Sequence, residues 1–263
     1  MSREFLWRNG LKLSGFDGGA GLPVVFQHGL GGDGAQVAEV FPPGFRRLTL
    51  ECRSHGASDD GEQVSIAAFA DDVLAFADHC GVERFAVGGI SMGAAIALAI
   101  AVKVPRRVLA LILARPAWTW GTAPDNMQVF ADVARFLEEG GRDAFEATAI
   151  ARRMAKEAPD NLASLRGFFE RPGRARLPPL LKAIAADGPG VSELQVQAIR
   201  VPTLVIANAV DLVHPQSLAR DLASAISGAQ FVEIAPKATD RPRHVAEFRA
   251  SVAEFLEHLK APA

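Results

Sequence analysis

Short apolar runs alternate with longer amphipathic stretches over most of the chain. The first two runs, residues 5–7 and 11–13, flank Asn9 and Gly10, a dipeptide typical of a β-hairpin turn. An antiparallel start followed by β-α alternation predicts a mostly parallel sheet with helices on both faces. The remaining strand-like runs are 24–26, 48–50, 85–87, 108–113, 203–206 and 231–234, and helical spacing occurs at 65–77, 94–101, 216–226 and 244–259.

The interval 117–196 has no convincing strand pattern. It contains helical stretches such as 126–139 and 143–157, separated by Gly- and Pro-rich breaks. Ligands of open α/β sheets bind beyond the carboxyl ends of the strands, and this interval follows such an end. We therefore expect a core formed by residues 1–116 and 197–263, and a helical cap formed by residues 117–196 that covers the site.

The main candidate catalytic motif is Gly89-Ile90-Ser91-Met92-Gly93. It fits the pattern G-x-S-x-G and lies between an apolar run and a predicted Ala-rich helix. This context is typical of a nucleophile elbow. A sharp turn holds such a serine in strained backbone geometry, so that its hydroxyl projects clear of the sheet. Side chains in place of the two glycines would clash. Ser91 is therefore the candidate nucleophile; a serine that only caps the helix is the plain alternative.

A serine nucleophile needs a base, and the base needs an acid to orient it. Asp211 lies in the loop after the apolar run 203–206, at a strand end where such an acid belongs. His244 lies at the start of the final predicted helix, after the last strand, and is the candidate base. We expect the Asp211 carboxylate to raise the pKa of His244. The other five histidines sit in turn-like loops, at helix ends or close to Asp211 itself: His28, His55, His79, His214 and His258.

The oxyanion of an acyl-transfer intermediate needs backbone N–H donors. Met92, directly after the nucleophile, offers one at a helix start, where free N–H groups favour negative charge. The glycine-rich loop 28–32 allows close backbone approach, and the Leu30 N–H is the candidate for the second donor. An ordinary glycine-rich turn is the alternative for this loop.

Composition excludes several classes of partner. The 263 residues carry a net charge of −2, which provides no electrostatic footprint for nucleic acid or an anionic membrane. Charged residues occupy the N-terminus where a signal peptide would be apolar, so we expect a soluble cytoplasmic protein. The two cysteines lack metal-type spacing, and we expect neither a metal nor another cofactor. The oligomeric state stays open.

These motifs resemble the α/β-hydrolase superfamily over nearly the whole length of the chain. The order Ser91, Asp211, His244 matches its order of nucleophile, acid and histidine. The segment 53–58 is similar to the family's R-G-x-G-x-S turn, with Ser54 in place of the first glycine. The elbow and the cap look most similar to 3-oxoadipate enol-lactonases and related carboxylesterases. The resemblance implies an α/β-hydrolase fold and a cofactor-free serine hydrolase acting on a small ester or lactone.

Other activities of this fold stay open: a carbon–carbon bond hydrolase of a ring-cleavage pathway, a perhydrolase, and a ligand receptor without turnover. Arg115, at the strand end that leads into the cap, could pair a substrate carboxylate, but a structural ion pair is an equal alternative. Large apolar side chains of the cap are candidates for an acyl pocket, although their spacing also fits the interior of the cap: Trp118, Trp120, Met127, Phe130, Phe168 and Phe169.

Overall fold

The computed structural model describes residues 2–171 and 174–259, which contain one eight-stranded sheet. The strands are β1 (Ser2–Arg8), β2 (Leu11–Gly18), β3 (Pro23–Gln27), β4 (Arg46–Leu50), β5 (Phe85–Ile90), β6 (Val108–Ala114), β7 (Thr203–Ala207) and β8 (Gln230–Glu233). Their spatial order is β1-β2-β4-β3-β5-β6-β7-β8. β2 pairs antiparallel with β1 and with β4, and all other neighbours pair parallel. The predicted α/β-hydrolase architecture with a mostly parallel sheet is confirmed.

Helices cover both faces of this sheet. Those of the described residues are α1 (Gly34–Val40), α2 (Ile66–His79), α3 (Met92–Lys103), α4 (Gln128–Glu138), α5 (Gly141–Glu146), α6 (Ala149–Glu157), α7 (Pro159–Glu170), α8 (Leu177–Ala185), α9 (Glu193–Gln197), α10 (Gln216–Ala225) and α11 (Arg241–His258). Buried side chains of α1 and α11 pack on one face of the sheet. Those of α2, α3 and α10 pack on the other face, in a cluster that continues into the cap.

The first hairpin contains the tight turn that its sequence predicts. Asn9 and Gly10 have φ values of 50° and 78°, the left-handed conformations that a two-residue turn between antiparallel strands requires. The flanking residues Arg8 and Leu11 are paired in the β1–β2 ladder. The turn residues therefore fix the register of the edge of the sheet.

Helices and irregular segments make up the described part of the chain between β6 and β7. The predicted helix 143–157 is two helices, α5 and α6, because Thr148 caps the second of them by accepting a hydrogen bond from the Ala151 N–H at 3.2 Å. Aromatic pairs hold the helices together: the rings of Phe130 and Phe168 lie 6.1 Å apart. We keep the name cap for residues 117–196, and the division into core and cap stays a prediction.

The last helix begins earlier than the apolar pattern predicts. Asp240 is its N-cap and accepts a hydrogen bond from the Arg243 N–H at 3.0 Å, while Pro242 lies in its first turn. His244 therefore lies inside the first turn of α11, and its backbone N–H already donates to the Asp240 carbonyl. The helical backbone fixes the direction of the His244 side chain.

Over residues 2–171 and 174–259, every helix falls short of the length and apolar character that crossing a bilayer requires.

Candidate active site

Ser91 sits at a strained turn between β5 and α3. Its backbone has φ 57° and ψ −112°, a conformation that a residue with a side chain adopts only when its surroundings force it. A Cβ on Gly89 would lie 2.4 Å from the Gly93 carbonyl carbon, and one on Gly93 would lie 2.3 Å from the Gln27 carbonyl oxygen. Both clashes are with backbone, which cannot rotate away. The two glycines therefore let the chain turn sharply enough to place Ser91 at the wall of a cavity.

The loop after β3 lies against this turn. A Cβ on Gly29 would lie 3.5 Å from the Cβ of Ser91. The Gly29 N–H donates to the Gln36 side chain at 2.7 Å, which anchors the loop to α1. Among the described residues, neither the Leu30 N–H nor the Met92 N–H has an acceptor. Both predicted oxyanion donors are available, and their role stays a prediction.

A cavity of about 270 Å³ opens in front of Ser91. Core loops supply Leu30, Arg115, His214 and Lys237 to its wall. On the other side, the cap contributes both apolar and polar residues to the wall: Phe130, Asn161, Ser164, Leu165, Phe168 and Arg171. The volume suits a small molecule, and the wall combines apolar contact with a few fixed polar groups.

The Asp211 carboxylate, in the loop after β7, accepts hydrogen bonds from two principal side chains, and Asn208 Nδ2 adds a longer one at 3.5 Å. Arg115 donates to it from Nε at 2.8 Å and from Nη2 at 2.5 Å. The Nδ1 atom of His214 lies 2.9 Å from it, and the His214 backbone N–H also donates at 2.9 Å. Burial would raise the pKa of the Asp211 carboxyl, but the charges and hydrogen bonds of Arg115 and His214 outweigh it and hold that pKa well below its usual range. Asp211 is ionised.

An ionised carboxylate only accepts hydrogen bonds, so Nδ1 of His214 carries the proton. In the neutral imidazole the other nitrogen, Nε2, is then an unprotonated base. Burial and Arg115 lower the pKa of His214, and Asp211 only partly offsets them. His214 also lines the cavity that contains Ser91. Near pH 7 the site holds a neutral histidine oriented by a carboxylate.

His244 has a different environment from the one the sequence predicts. Its Nδ1 atom lies 2.8 Å from the Ala235 carbonyl oxygen, and it lines an adjoining cavity with Lys237 and Arg115. In the described part of the chain, Asp211 makes no hydrogen bond with His244. Burial lowers the pKa of His244 further than the Ala235 hydrogen bond raises it, so the predicted upward shift is wrong. The catalytic role of His244 stays a prediction.

Two further histidines are structural. The Nε2 atom of His28 accepts a hydrogen bond from the Cys52 N–H at 3.1 Å, and its Nδ1 lies 2.8 Å from the Gly29 carbonyl oxygen. Its ring packs 4.9 Å from that of His55. Burial lowers the pKa of both rings, so they are neutral hydrogen-bonding groups below the Leu30 loop.

The cap holds the loop after β7 through one amide side chain. Asn161 Oδ1, on α7, accepts hydrogen bonds from the backbone N–H groups of Leu212 and Val213, at 2.8 and 3.1 Å. Asn161 is buried and also lines the Ser91 cavity. Sequence analysis missed this residue, because a lone asparagine in a helical segment has no local signature.

Two substrate-pocket candidates, Trp118 and Trp120, need correction. Trp118 is 2% exposed, donates to the Asp187 carbonyl at 2.9 Å and packs within the hydrophobic core. Trp120 is half-buried against the same core and, like Trp118, lies outside the lining of the cavity. Arg115 does line it, but its guanidinium is committed to Asp211. Phe130 is the predicted substrate-pocket aromatic that faces the cavity along with Phe168.

Lys237 is the other functional candidate that sequence analysis missed. It follows β8 in Ile234-Ala235-Pro236-Lys237, and the strand-end rule that selected Asp211 would have selected it. A search for carboxylates and histidines alone passed over it. Across residues 2–171 and 174–259, no three His, Cys, Asp or Glu side chains are grouped as a metal ion would require.

Comparison with known proteins gives the family. A sequence profile described as alpha/beta hydrolase fold matches residues 23–238. A protein named "Putative carbamate hydrolase RutD" from Rhizobium rhizogenes is 30% identical over 237 residues, which cover 84% of this chain and 86% of that protein.

Solved structures agree over nearly the whole chain. The enol-lactonase of Burkholderia xenovorans LB400 superposes with a TM-score of 0.75 at 25% identity, covering 97% of this chain and all of that chain. A thermophilic esterase from Thermogutta terrifontis, solved with malate bound, gives a TM-score of 0.74 at 25% identity and covers 99% of this chain and all of that one. These similar proteins are hydrolases.

Proposed function

The chain belongs to the alpha/beta hydrolase fold family, and on that premise we propose that it is a serine hydrolase of a small ester or lactone. One observation carries the proposal: a strained Ser91 shares a small cavity with a histidine that an ionised carboxylate orients. This is the arrangement that acyl transfer through an activated serine requires.

The reaction proceeds in two steps. The Ser91 oxygen attacks the carbonyl carbon while the base takes its proton, and the negative oxygen that forms is held by the Leu30 and Met92 N–H groups. The base then protonates the departing alkoxide, which leaves an acyl ester on Ser91. Water, deprotonated by the same base, attacks that ester and releases the acid and the free serine. A lactone follows the same steps and opens to a hydroxy acid.

We assign the base to His214. Its Nδ1 proton points at the Asp211 carboxylate, which stabilises the imidazolium formed during proton transfer. His244 is the alternative base, and the partner of its Nδ1 atom among the described residues is a backbone carbonyl. A carboxylate supports a developing positive charge better than a neutral carbonyl does.

Three other activities are compatible with the same serine: carbon–carbon bond hydrolysis, perhydrolysis and ligand reception without turnover. The similarity to a protein named as a carbamate hydrolase adds the carbamates to the candidate acyl substrates. All the hydrolytic alternatives use a carbonyl carbon and an oxyanion hole. A substrate panel separates them.

The test is turnover of p-nitrophenyl esters, small lactones, carbamates and vinylogous diketones by the wild-type protein and by Ser91→Ala. We expect ester or lactone turnover in the wild type, and a loss on the order of 10⁴- to 10⁶-fold in Ser91→Ala. Mass spectrometry of quenched wild-type protein should show an acyl adduct on Ser91. Ser224→Ala, on an exposed position of α10, is the matched control. Full turnover by Ser91→Ala would overturn the proposal.

A further inference from the structure

The charged side chains that line the Ser91 cavity are all cationic. Arg115, Arg171 and Lys237 reach its wall, and within the described part of the chain no aspartate or glutamate does. The Asp211 carboxylate lies behind the wall, where it is engaged with Arg115 and His214. The cavity therefore carries an excess of positive charge.

Arg115 does not supply this excess. Its guanidinium forms a buried ion pair with Asp211, with a side chain only 13% exposed against 0% for the aspartate. An arginine committed in this way cannot turn to a substrate without leaving the carboxylate unpaired. The structural ion pair is therefore present, and a further role of Arg115 in binding a substrate carboxylate stays a prediction.

Lys237 has no such partner. It is half-buried, lines the Ser91 cavity and the adjoining one, and makes no hydrogen bond or ion pair with any described residue. Burial and the nearby Arg115 and Arg241 charges lower its pKa, since each of them disfavours the ammonium form. An anion bound in the cavity would stabilise the ammonium form of Lys237 and so offset both the burial and the neighbouring positive charges.

Arg171 is the second cation of the cavity that forms no ion pair with a carboxylate of the described residues. Its guanidinium stacks 4.6 Å from the centre of the Phe168 ring and donates to the Gly31 carbonyl, next to the oxyanion donor Leu30. Burial also lowers its pKa. The ring and the carbonyl hold the guanidinium flat and leave further N–H donors for a planar anion.

We propose that the Ser91 cavity selects an ester or lactone that carries a carboxylate, and that Lys237 and Arg171 bind this group; the inference rests on the proposed serine hydrolase. Two half-buried cations that form no ion pair with any described carboxylate are costly, and a substrate carboxylate would supply the counter-charge. Both positions belong to loops or helix ends around the nucleophile: Lys237 follows β8, and Arg171 follows α7.

The same cations could instead act on the oxyanion or on the Ser91 proton. Either role would affect every ester equally, because those atoms are common to all of them. Carboxylate binding affects only substrates that have the extra charge. A matched pair of substrates therefore separates the two explanations.

The experiment compares p-nitrophenyl hemisuccinate with p-nitrophenyl butyrate, which have similar acyl chains and differ in the terminal carboxylate. In the wild type we expect a higher kcat/KM for the hemisuccinate. Lys237→Ala should lower that value roughly 10- to 100-fold, mainly through KM, as expected for loss of a hydrogen bond to a charged group. The butyrate value should change less than about threefold. Lys237→Arg should restore most of the preference, and Arg171→Ala should reduce it.

Lys182→Ala is the matched control, because Lys182 is an exposed cap lysine paired with Glu138 at 2.7 Å. Binding of succinate to Ser91→Ala, measured by calorimetry, tests the anion site without turnover and should weaken when Lys237 is replaced. Equal loss on both substrates in Lys237→Ala, or no succinate binding to Ser91→Ala, would overturn the anion site. If Ser91→Ala still turned over both esters, the serine mechanism would fail, whatever the charge preference.

Discussion

The segments that follow β7 and β8 each contain a histidine, His214 beside the Ser91 cavity and His244 beside the adjoining one, but they hold it differently. In the loop after β7, a carboxylate orients His214, and the cap fixes the backbone through Asn161. After β8, His244 in the first turn of α11 is held by a backbone carbonyl, and Lys237, in the loop before that helix, has no partner among the described residues. Our proposals assign proton transfer to the first segment and binding of a substrate charge to the second.

This difference shows that the position of a residue along the chain does not determine which group its side chain contacts. His244 follows Asp211 and the last strand, as a catalytic histidine of this fold would. Asp240 is the N-cap of α11, so the helix begins at Arg241, three residues before His244. The helix then directs the His244 side chain towards the Ala235 carbonyl. A local capping signal thus outweighs the order of residues along the chain.

The largest expected effect comes from replacing each of the two histidines, His214 and His244, with alanine in separate variants. His214→Ala should lower kcat/KM for an ester on the order of 10²- to 10⁴-fold, because the general base is removed. His244→Ala should stay within about tenfold of the wild type, below the range of a general base. Steady-state kinetics on one substrate measures both, with thermal melting to show that each variant folds. A greater loss in His244→Ala would reverse the comparison.

Asp211→Asn should have the next largest effect. The amide cannot stabilise the His214 imidazolium as a carboxylate does, so we expect kcat to fall on the order of 10²-fold, less than when the imidazole itself is removed. Arg115 would also lose its buried counter-charge, and the free energy of unfolding should fall by about 3 kcal/mol. Denaturant unfolding measures the second effect. Unchanged stability would mean that the Arg115–Asp211 pair is not formed in solution.

Asn161→Ala sharpens the comparison, because it loosens only the loop after β7. Two buried backbone N–H groups, those of Leu212 and Val213, would lose their acceptor, at a cost of about 1–3 kcal/mol. We expect lower kcat with little change in Lys237-dependent substrate preference. If the preference between anionic and neutral esters changed instead, the two loops would not be independent.

The pH profile gives the smallest effect. The pKa of His214 lies below the ordinary value of 6.5, so the neutral base persists down to that pH and kcat/KM should fall only below it. Asp211→Asn removes an interaction that raises this pKa, so the acidic midpoint should move further down. Initial rates in buffers of constant ionic strength test the direction. A midpoint above 6.5 in the wild type would contradict the effect of burial.

Sequence predicted the features whose causes are local. The elbow depends on five consecutive residues, and the backbone clashes at Gly89 and Gly93 make the pattern obligatory. The hairpin at Asn9 and Gly10 likewise follows from the left-handed conformations that this turn needs. Short apolar runs that alternate with amphipathic stretches were enough to predict the sheet and its flanking helices, because each of these elements buries its apolar residues against the others.

The contacts of the site could not be predicted, because they depend on residues far apart in the chain. Arg115 reaches Asp211 across 96 positions, and Asn161 reaches Leu212 across 51. The direction of a large side chain is equally non-local: Trp118 follows the strand end that leads to the site, yet it points into the core. Periodicity places residues on elements, whereas tertiary packing chooses their partners.

The most direct test of the account is an ¹⁵N NMR titration of the histidine side chains in the wild type and in Asp211→Asn, with His214→Gln and His244→Gln to assign the signals. We predict that neutral His214 carries its proton on Nδ1, that it titrates below pH 6.5, and that Asp211→Asn shifts its signals while those of His244 stay in place. Signals of His244 that move on replacement of Asp211, with those of His214 unchanged, would contradict the assignment of the carboxylate to His214.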